Sequence, residues 1–259
     1  MQIELIGCTS AGKTTLARKM LQAGRELGID MQLSDDFVLK QIRLNWIKNE
    51  FIRLRIIELL CLPICLVFWR KYRRFYRLAI RASRQAPGSW FYKMNLARIT
   101  LRKVGIYEII RHCSSEQQVL LFDNEGVLQA SHTLFIHSGG ARVNADDLSS
   151  FVNLAPLPDV VAYLWQSQAV LLERTLARGH HRLPDRSHAK AEFFIEQAVE
   201  MFDTLQRHPA LASRLLIING EQKTIVPSEP CDNSRLTMAS KIICASLNGN
   251  AIDNTRRKA

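Results

Sequence analysis

Short apolar runs alternate along this chain with longer segments whose apolar residues recur every three or four positions. Met1 to Ile6 reads as a strand ending at Gly7. Thr14 to Leu27 reads as a helix with Leu16, Met20, Ala23 and Leu27 on one face and Gly28 as its stop. Ile29 to Leu33 is a second strand, followed by Ser34, Asp35 and Asp36. Residues 40–112 read as mostly helical, broken at Pro63 and between Gln85 and Ser89. Further strands are expected at Val119 to Phe122, Asp159 to Leu164 and Leu215 to Ile218. Helices are expected around Gln129 to Ile136, Gln168 to Ala177, His188 to Arg207 and Thr237 to Leu247.

Strands separated by helices predict an α/β fold in three layers, with a mostly parallel five-stranded sheet covered on both faces. The expected organisation is one domain over 1–226, interrupted by a helical basic insert at 40–112, and a short helix with a polar tail over 227–259. In such sheets ligands bind beyond the carboxyl ends of the strands. Each cluster of chemically active side chains in this sequence follows a predicted strand.

Gly7-Cys8-Thr9-Ser10-Ala11-Gly12-Lys13-Thr14 is a complete G-x-x-x-x-G-K-[ST] phosphate-binding loop, continued by Thr15. Its glycines let the backbone N–H groups close around phosphate oxygens, and the helix that follows adds its positive end. Lys13 is positioned for the β- and γ-phosphates of ATP, and the Thr14 hydroxyl for Mg²⁺. Val119 to Phe122 delivers Asp123 beside this loop as a second Mg²⁺ ligand, with Glu125 placed to order a water or take a proton. Arg174, Arg178, Arg182 and Arg186 recur every four residues and suit a lid that neutralises charge developing in phosphoryl transfer. Of Asp35 and Asp36, either one serves as a helix cap or as the base for an acceptor hydroxyl; Asp36 is carried forward as the candidate base.

Together these stretches resemble the thymidylate-kinase-like branch of P-loop nucleoside and nucleotide kinases. The resemblance rests on Gly7 to Thr15, Val119 to Gly126 and Asp159 to Arg182, with Leu215 to Gly220 fitting the last strand. It implies phosphate and Mg²⁺ roles for Lys13 and Thr14, and helix-and-lid roles for Arg174, Arg178 and Arg182. Two departures stand out. The Asp-Arg pair usual after the third strand is Asp123-Asn124-Glu125 here, and the acceptor-recognising region is replaced by the insert. The resemblance therefore implies a kinase without naming its acceptor: nucleotide, sugar or lipid-linked small molecule. The rival is a P-loop ATPase or nucleotide-dependent regulator with no acceptor.

Charge sharpens the picture of the insert. The 259 residues carry a net charge of +11, but residues 40–112 hold 17 Lys and Arg against Glu50, Glu58 and Glu108, so the insert is at +14 and the remainder at −3. On a helix from Trp69 to Arg84, Trp69, Tyr72, Tyr76, Ala79, Ile80 and Ser83 share one face, and Arg70, Arg73, Arg74, Arg77, Arg81 and Arg84 the other. An anionic membrane surface contacted through 56–84, a polyanionic partner, and a solvated helical cover all fit. The apolar stretch Ile56 to Trp69 favours the membrane over nucleic acid. Six cysteines without metal-ligand spacing fit a reducing cytoplasm, with peripheral attachment to the membrane's inner face and a homodimer both compatible.

Overall fold

The chain begins with β1 (Gln2–Ile6), α1 (Lys13–Glu26), β2 (Met31–Leu33), α2 (Ser34–Gln41), α3 (Glu50–Val67), α4 (Trp69–Gln85) and α5 (Trp90–Cys113). It continues through β3 (Val119–Phe122), α6 (Ala130–Phe135), α7 (Ala145–Leu154), β4 (Val160–Trp165), α8 (Gln168–Arg178) and α9 (His188–Gln206). The last elements are α10 (Pro209–Ala212), β5 (Leu215–Asn219), β6 (Thr224–Pro227) and α11 (Ser234–Asn248). This computed structural model describes residues 1–115, 117–123, 126–137, 142–179, 187–227 and 234–248.

The strands form one sheet in the order β2-β3-β1-β4-β5-β6. Five are parallel, as the alternation of elements predicts, and β1 is bonded on both sides: Ile3 stands opposite Leu121 of β3 and opposite Val160 of β4. β6 adds an antiparallel edge on β5, with Val226 opposite Ile217. Its four residues are largely exposed and lack an apolar alternation, so no periodicity announces it. Side chains of β3 show that both faces of the sheet are covered. Leu120 and Phe122 pack with Phe37, Ile57, Ile106 and Ile110, whereas Val119 and Leu121 join the larger core on the other face.

Residues 40–112 are mostly helical as expected, but the breaks fall over 42–49, at Phe68 and between α4 and α5, not at Pro63. Helix α3 runs through Pro63 and ends at Phe68, whose N–H donates to the Ile64 carbonyl. A proline costs its helix one hydrogen bond. Here it lies on the exposed side, while Ile57, Cys61 and Cys65 anchor the opposite side. The aromatic face of α4 is also interior: Tyr72, Phe75 and Tyr76 are buried in the main core. Helix α7 is not among the expected elements, although Leu148, Phe151 and Val152 are spaced as a helix face, and Asn144 caps it by accepting from the Asp146 N–H.

Two buried carboxylates organise the positive charge of this region. Glu58 accepts from Arg55, Arg98 and Arg102 at 3.0, 2.7 and 3.1 Å. Glu108, with no exposed side-chain surface, accepts from Lys71 at 2.7 Å and from the Tyr72 hydroxyl, with Arg111 and His112 at 3.6 and 3.5 Å. These contacts join α3, α4 and α5. Glu108→Ala should therefore destabilise the fold by about 3 kcal/mol, because Lys71 and the buried Tyr72 hydroxyl lose their acceptor. Urea unfolding checks this, with Glu108→Gln predicted to lose less. A midpoint unchanged in Glu108→Ala would contradict the role given to Glu108.

Candidate functional site

Strand β1 ends at Ile6, and the chain turns at once into the glycine-rich loop. Gly7 has φ +150° and Gly12 φ +100°, conformations that L side chains rarely adopt. A side chain at Gly7 is doubly excluded, since its Cβ would meet the Leu164 carbonyl oxygen at 2.8 Å. The loop closes on itself through Lys13, whose Nζ donates to the Gly7 and Cys8 carbonyls at 2.9 Å each. Gln129 clasps the loop from outside. Its Oε1 accepts from the Gly7 N–H at 3.0 Å and its Nε2 donates to the Gly7 carbonyl at 3.2 Å. Helix α1 then starts at Lys13 with no acidic residue in its first turn, leaving its positive end open to an anion.

Strand order sets the rest of the arrangement. Asp35 and Asp36 follow β2, Asp123 follows β3, the loop follows β1, and α8 with Arg174 and Arg178 follows β4. Along the carboxyl edge of the sheet, acidic groups therefore stand on one side of the loop and arginines on the other. Asp123 lies close enough to Lys13 to favour its protonated form. Asp36 does not cap its helix. It sits in the first turn of α2, beyond β3, paired with Arg53 of α3.

Two clefts open at the loop. The smaller, about 220 Å³, is bounded by Thr9, Ser10, Lys13, Thr14, Arg18 and Arg178. The larger, about 770 Å³, runs from Ser10, Ala11 and Thr15 past Leu164 and Gln166 to Arg174, Gly220 and Leu247, a size ordinary for small-ligand sites. Arg178 borders both. Thr175 ties α8 to the loop by donating to the Ser10 hydroxyl at 3.1 Å. The small cleft is polar and cationic, suited to phosphates. The larger mixes apolar walls, Leu16, Leu164 and Leu247, with Lys19, Gln166, Arg174 and Arg178.

Burial pulls the Lys13 ammonium down to about 8; Lys103 adds to this, while Asp123 opposes it. Burial pushes the Cys8 thiol up to about 12, so it stays protonated and takes no part as a thiolate. Beneath the loop lie residues that the motif does not announce. The Glu4 carboxyl is raised by burial to about 7, although the Gln129 N–H donates to it at 2.7 Å and Lys103 lies near. Lys103 reaches in from α5 to donate to the Gly126 carbonyl at 3.2 Å. Its spacing from Leu96, Thr100 and Ile110 puts Lys103 on the buried stripe of α5. A charge on an apolar stripe is the signal that could have found it. Gln129 lies 122 residues from Gly7 in sequence and carries no such signal.

Gly7 through Thr15, Asp123, Arg174 and Arg178 thus converge on one edge of the sheet, whereas Asp36 stands apart at the β2 end. Glu125, Arg182 and Arg186 lie outside the described residues. The lowered Lys13 value sets a pH dependence for nucleotide binding. Phosphates favour charged Lys13, so affinity should be flat below about pH 8 and fall up to about tenfold per unit above it as the free protein loses that proton. Calorimetric titration with ATP across that range checks the slope, which Lys13→Ala should abolish. An equal slope in both proteins would rule out Lys13 as the group responsible.

No protein-family model matches the chain, and no curated protein does. Among solved structures, the chain is similar to a deoxyadenosine kinase from M. mycoides with bound dATP, at 13% identity and a TM-score of 0.39. That match covers 85% of this chain and 92% of the other.

Proposed function

We propose that this protein is an ATP- and Mg²⁺-dependent phosphotransferase of the thymidylate-kinase-like type, acting on a small-molecule acceptor. The observation that carries this reading is the order of charges along the sheet edge: carboxylates, phosphate loop, arginines. A nucleotide lying on the α8 side, in the cleft bordered by Arg174 and Gly220, directs its terminal phosphate over Lys13 and toward Asp123. An acceptor then approaches from the β2 side, where Asp36, once released from Arg53, is the candidate to take a hydroxyl proton, with Glu125 as the second candidate carboxylate. Lys13, Arg178 and Arg182 supply positive charge around the transferring group.

The hydroxyl of Thr14 and the carboxylate of Asp123 are hard oxygen donors of the kind Mg²⁺ takes. Among the described residues no three His, Cys, Asp or Glu side chains cluster as a metal site. This suits an ion that shares its coordination with phosphate oxygens and water. When bound, Mg²⁺ would neutralise charge on the phosphates. The residues themselves bind, orient and exclude water.

The test incubates the protein with γ-labelled ATP and separate pools of nucleotides, sugars and lipid-linked intermediates. Label is expected on one acceptor, reduced about a hundredfold or more in Lys13→Ala and in Arg178→Ala. Label recovered only as inorganic phosphate would instead support the ATPase reading.

A further inference from the structure

Burial of the α4 aromatics moves the exposed apolar surface of the insert onto another helix. Along α3, Leu59, Leu62, Leu66 and Val67 face outward, at 72%, 50%, 72% and 76% exposure. At positions i, i+3, i+7 and i+8 they form one stripe, on the side opposite the anchoring Ile57, Cys61 and Cys65. Ile52 extends the stripe toward the start of α3, where Phe51 is also exposed. The stripe ends where a basic surface begins. Trp69, 40% exposed, is two residues beyond Val67, and Arg70, Arg73, Arg74 and Arg77 follow on the exposed face of α4. None of these four arginines pairs with a described carboxylate. Leu59 and Leu62 also wall a groove of about 310 Å³ between α3 and α5, in which Arg55, Arg98 and Arg102 share the single carboxylate of Glu58.

We propose that this surface docks on a bilayer containing anionic lipids. Helix α3 lies flat, with Leu59, Leu62, Leu66 and Val67 among the acyl chains, and the α4 arginines contact the headgroups. The 18 residues of α3 span about 27 Å, enough for an interfacial helix. No described helix is long and apolar enough to cross a membrane, so this is attachment to one face. Charge complementarity selects the bilayer over the alternatives. A nucleic acid would use the arginines but gain nothing from the leucine stripe. A contact with a second copy through the stripe would bury the leucines without calling for the four arginines. The surface is independent of the phosphate loop, and it would hold the protein where a lipid-linked acceptor resides.

The test is vesicle flotation of the full chain, with phosphatidylcholine alone and with phosphatidylglycerol mixed in, at low and high salt. Binding is expected only to the anionic vesicles and should weaken with salt. Fluorescence of the exposed Trp46, Trp69 and Trp90 should shift to the blue on binding. Arg73→Gln/Arg74→Gln/Arg77→Gln should lower partitioning about a hundredfold. Leu59→Ser/Leu66→Ser/Val67→Ser should abolish the blue shift; all six positions are exposed, and circular dichroism confirms that each variant is folded. Lys13→Ala should bind vesicles as the parent does, which separates this result from any failure of the kinase reading. Three outcomes overturn the proposal: no flotation, retention of DNA without flotation, or a dimer that dissociates in the leucine variant while vesicles remain unbound.

Discussion

Strand β1 is held between two parallel neighbours, and everything chemical in this protein depends on where that leaves its carboxyl end. With β3 on one side and β4 on the other, the backbone leaving Ile6 passes so close to the Leu164 carbonyl that only a residue without a side chain fits at position 7. Gly7 makes the turn there. The N–H groups that follow are thereby directed away from the sheet, and the Gln129 amide pins both the donor and the acceptor of Gly7. A loop fixed at its base in this way is already ordered before any ligand arrives.

The same topology distributes charge. Crossovers from β1 to β2 and back to β3 put carboxylates on one flank, and the crossover to β4 puts the α8 arginines on the other. The insert between β2 and β3 is tied into this arrangement from two directions. Lys103 of α5 reaches the floor of the site, and Arg53 of α3 holds Asp36. Its excess of positive charge is tolerable because Glu58 and Glu108 each gather several cations inside it, while Arg70, Arg73, Arg74 and Arg77 stand exposed on α4. Buried carboxylates without such partners would be strongly destabilising.

The sheet and the loop were legible because both are local patterns: a buried parallel strand is a short apolar run, and the loop is eight consecutive residues. Four features were not legible, each for a physical reason. Gln129 reports on Gly7 only through tertiary contact. β6 is an exposed edge without alternation. Pro63 reads as a break because sequence does not show that the proline falls on the exposed side of its helix. The aromatic stripe of α4 fits a protein core and a membrane equally well, since periodicity reveals that a face is apolar and not what covers it. Tyr72, Phe75 and Tyr76 proved to cover the core, and the outward apolar face belongs to α3. Within the site, Lys13, Thr14, Asp123 and Arg178 could be chosen from spacing, Lys103 carried a signal as a charge on an apolar stripe, and Glu4 required the fold.

The central claim is that the backbone from Gly7 to Thr15 encloses the phosphates of a nucleotide, and hydrogen exchange of its amides tests this most directly. Adding ATP with Mg²⁺ should slow exchange strongly in the peptide covering 7–15, and more weakly in α8 around Arg174 and Arg178. Adenosine should leave 7–15 unprotected, because it lacks the phosphates that the loop is built to hold. Unchanged exchange across 7–15 with saturating ATP, or equal protection by adenosine, would contradict the account.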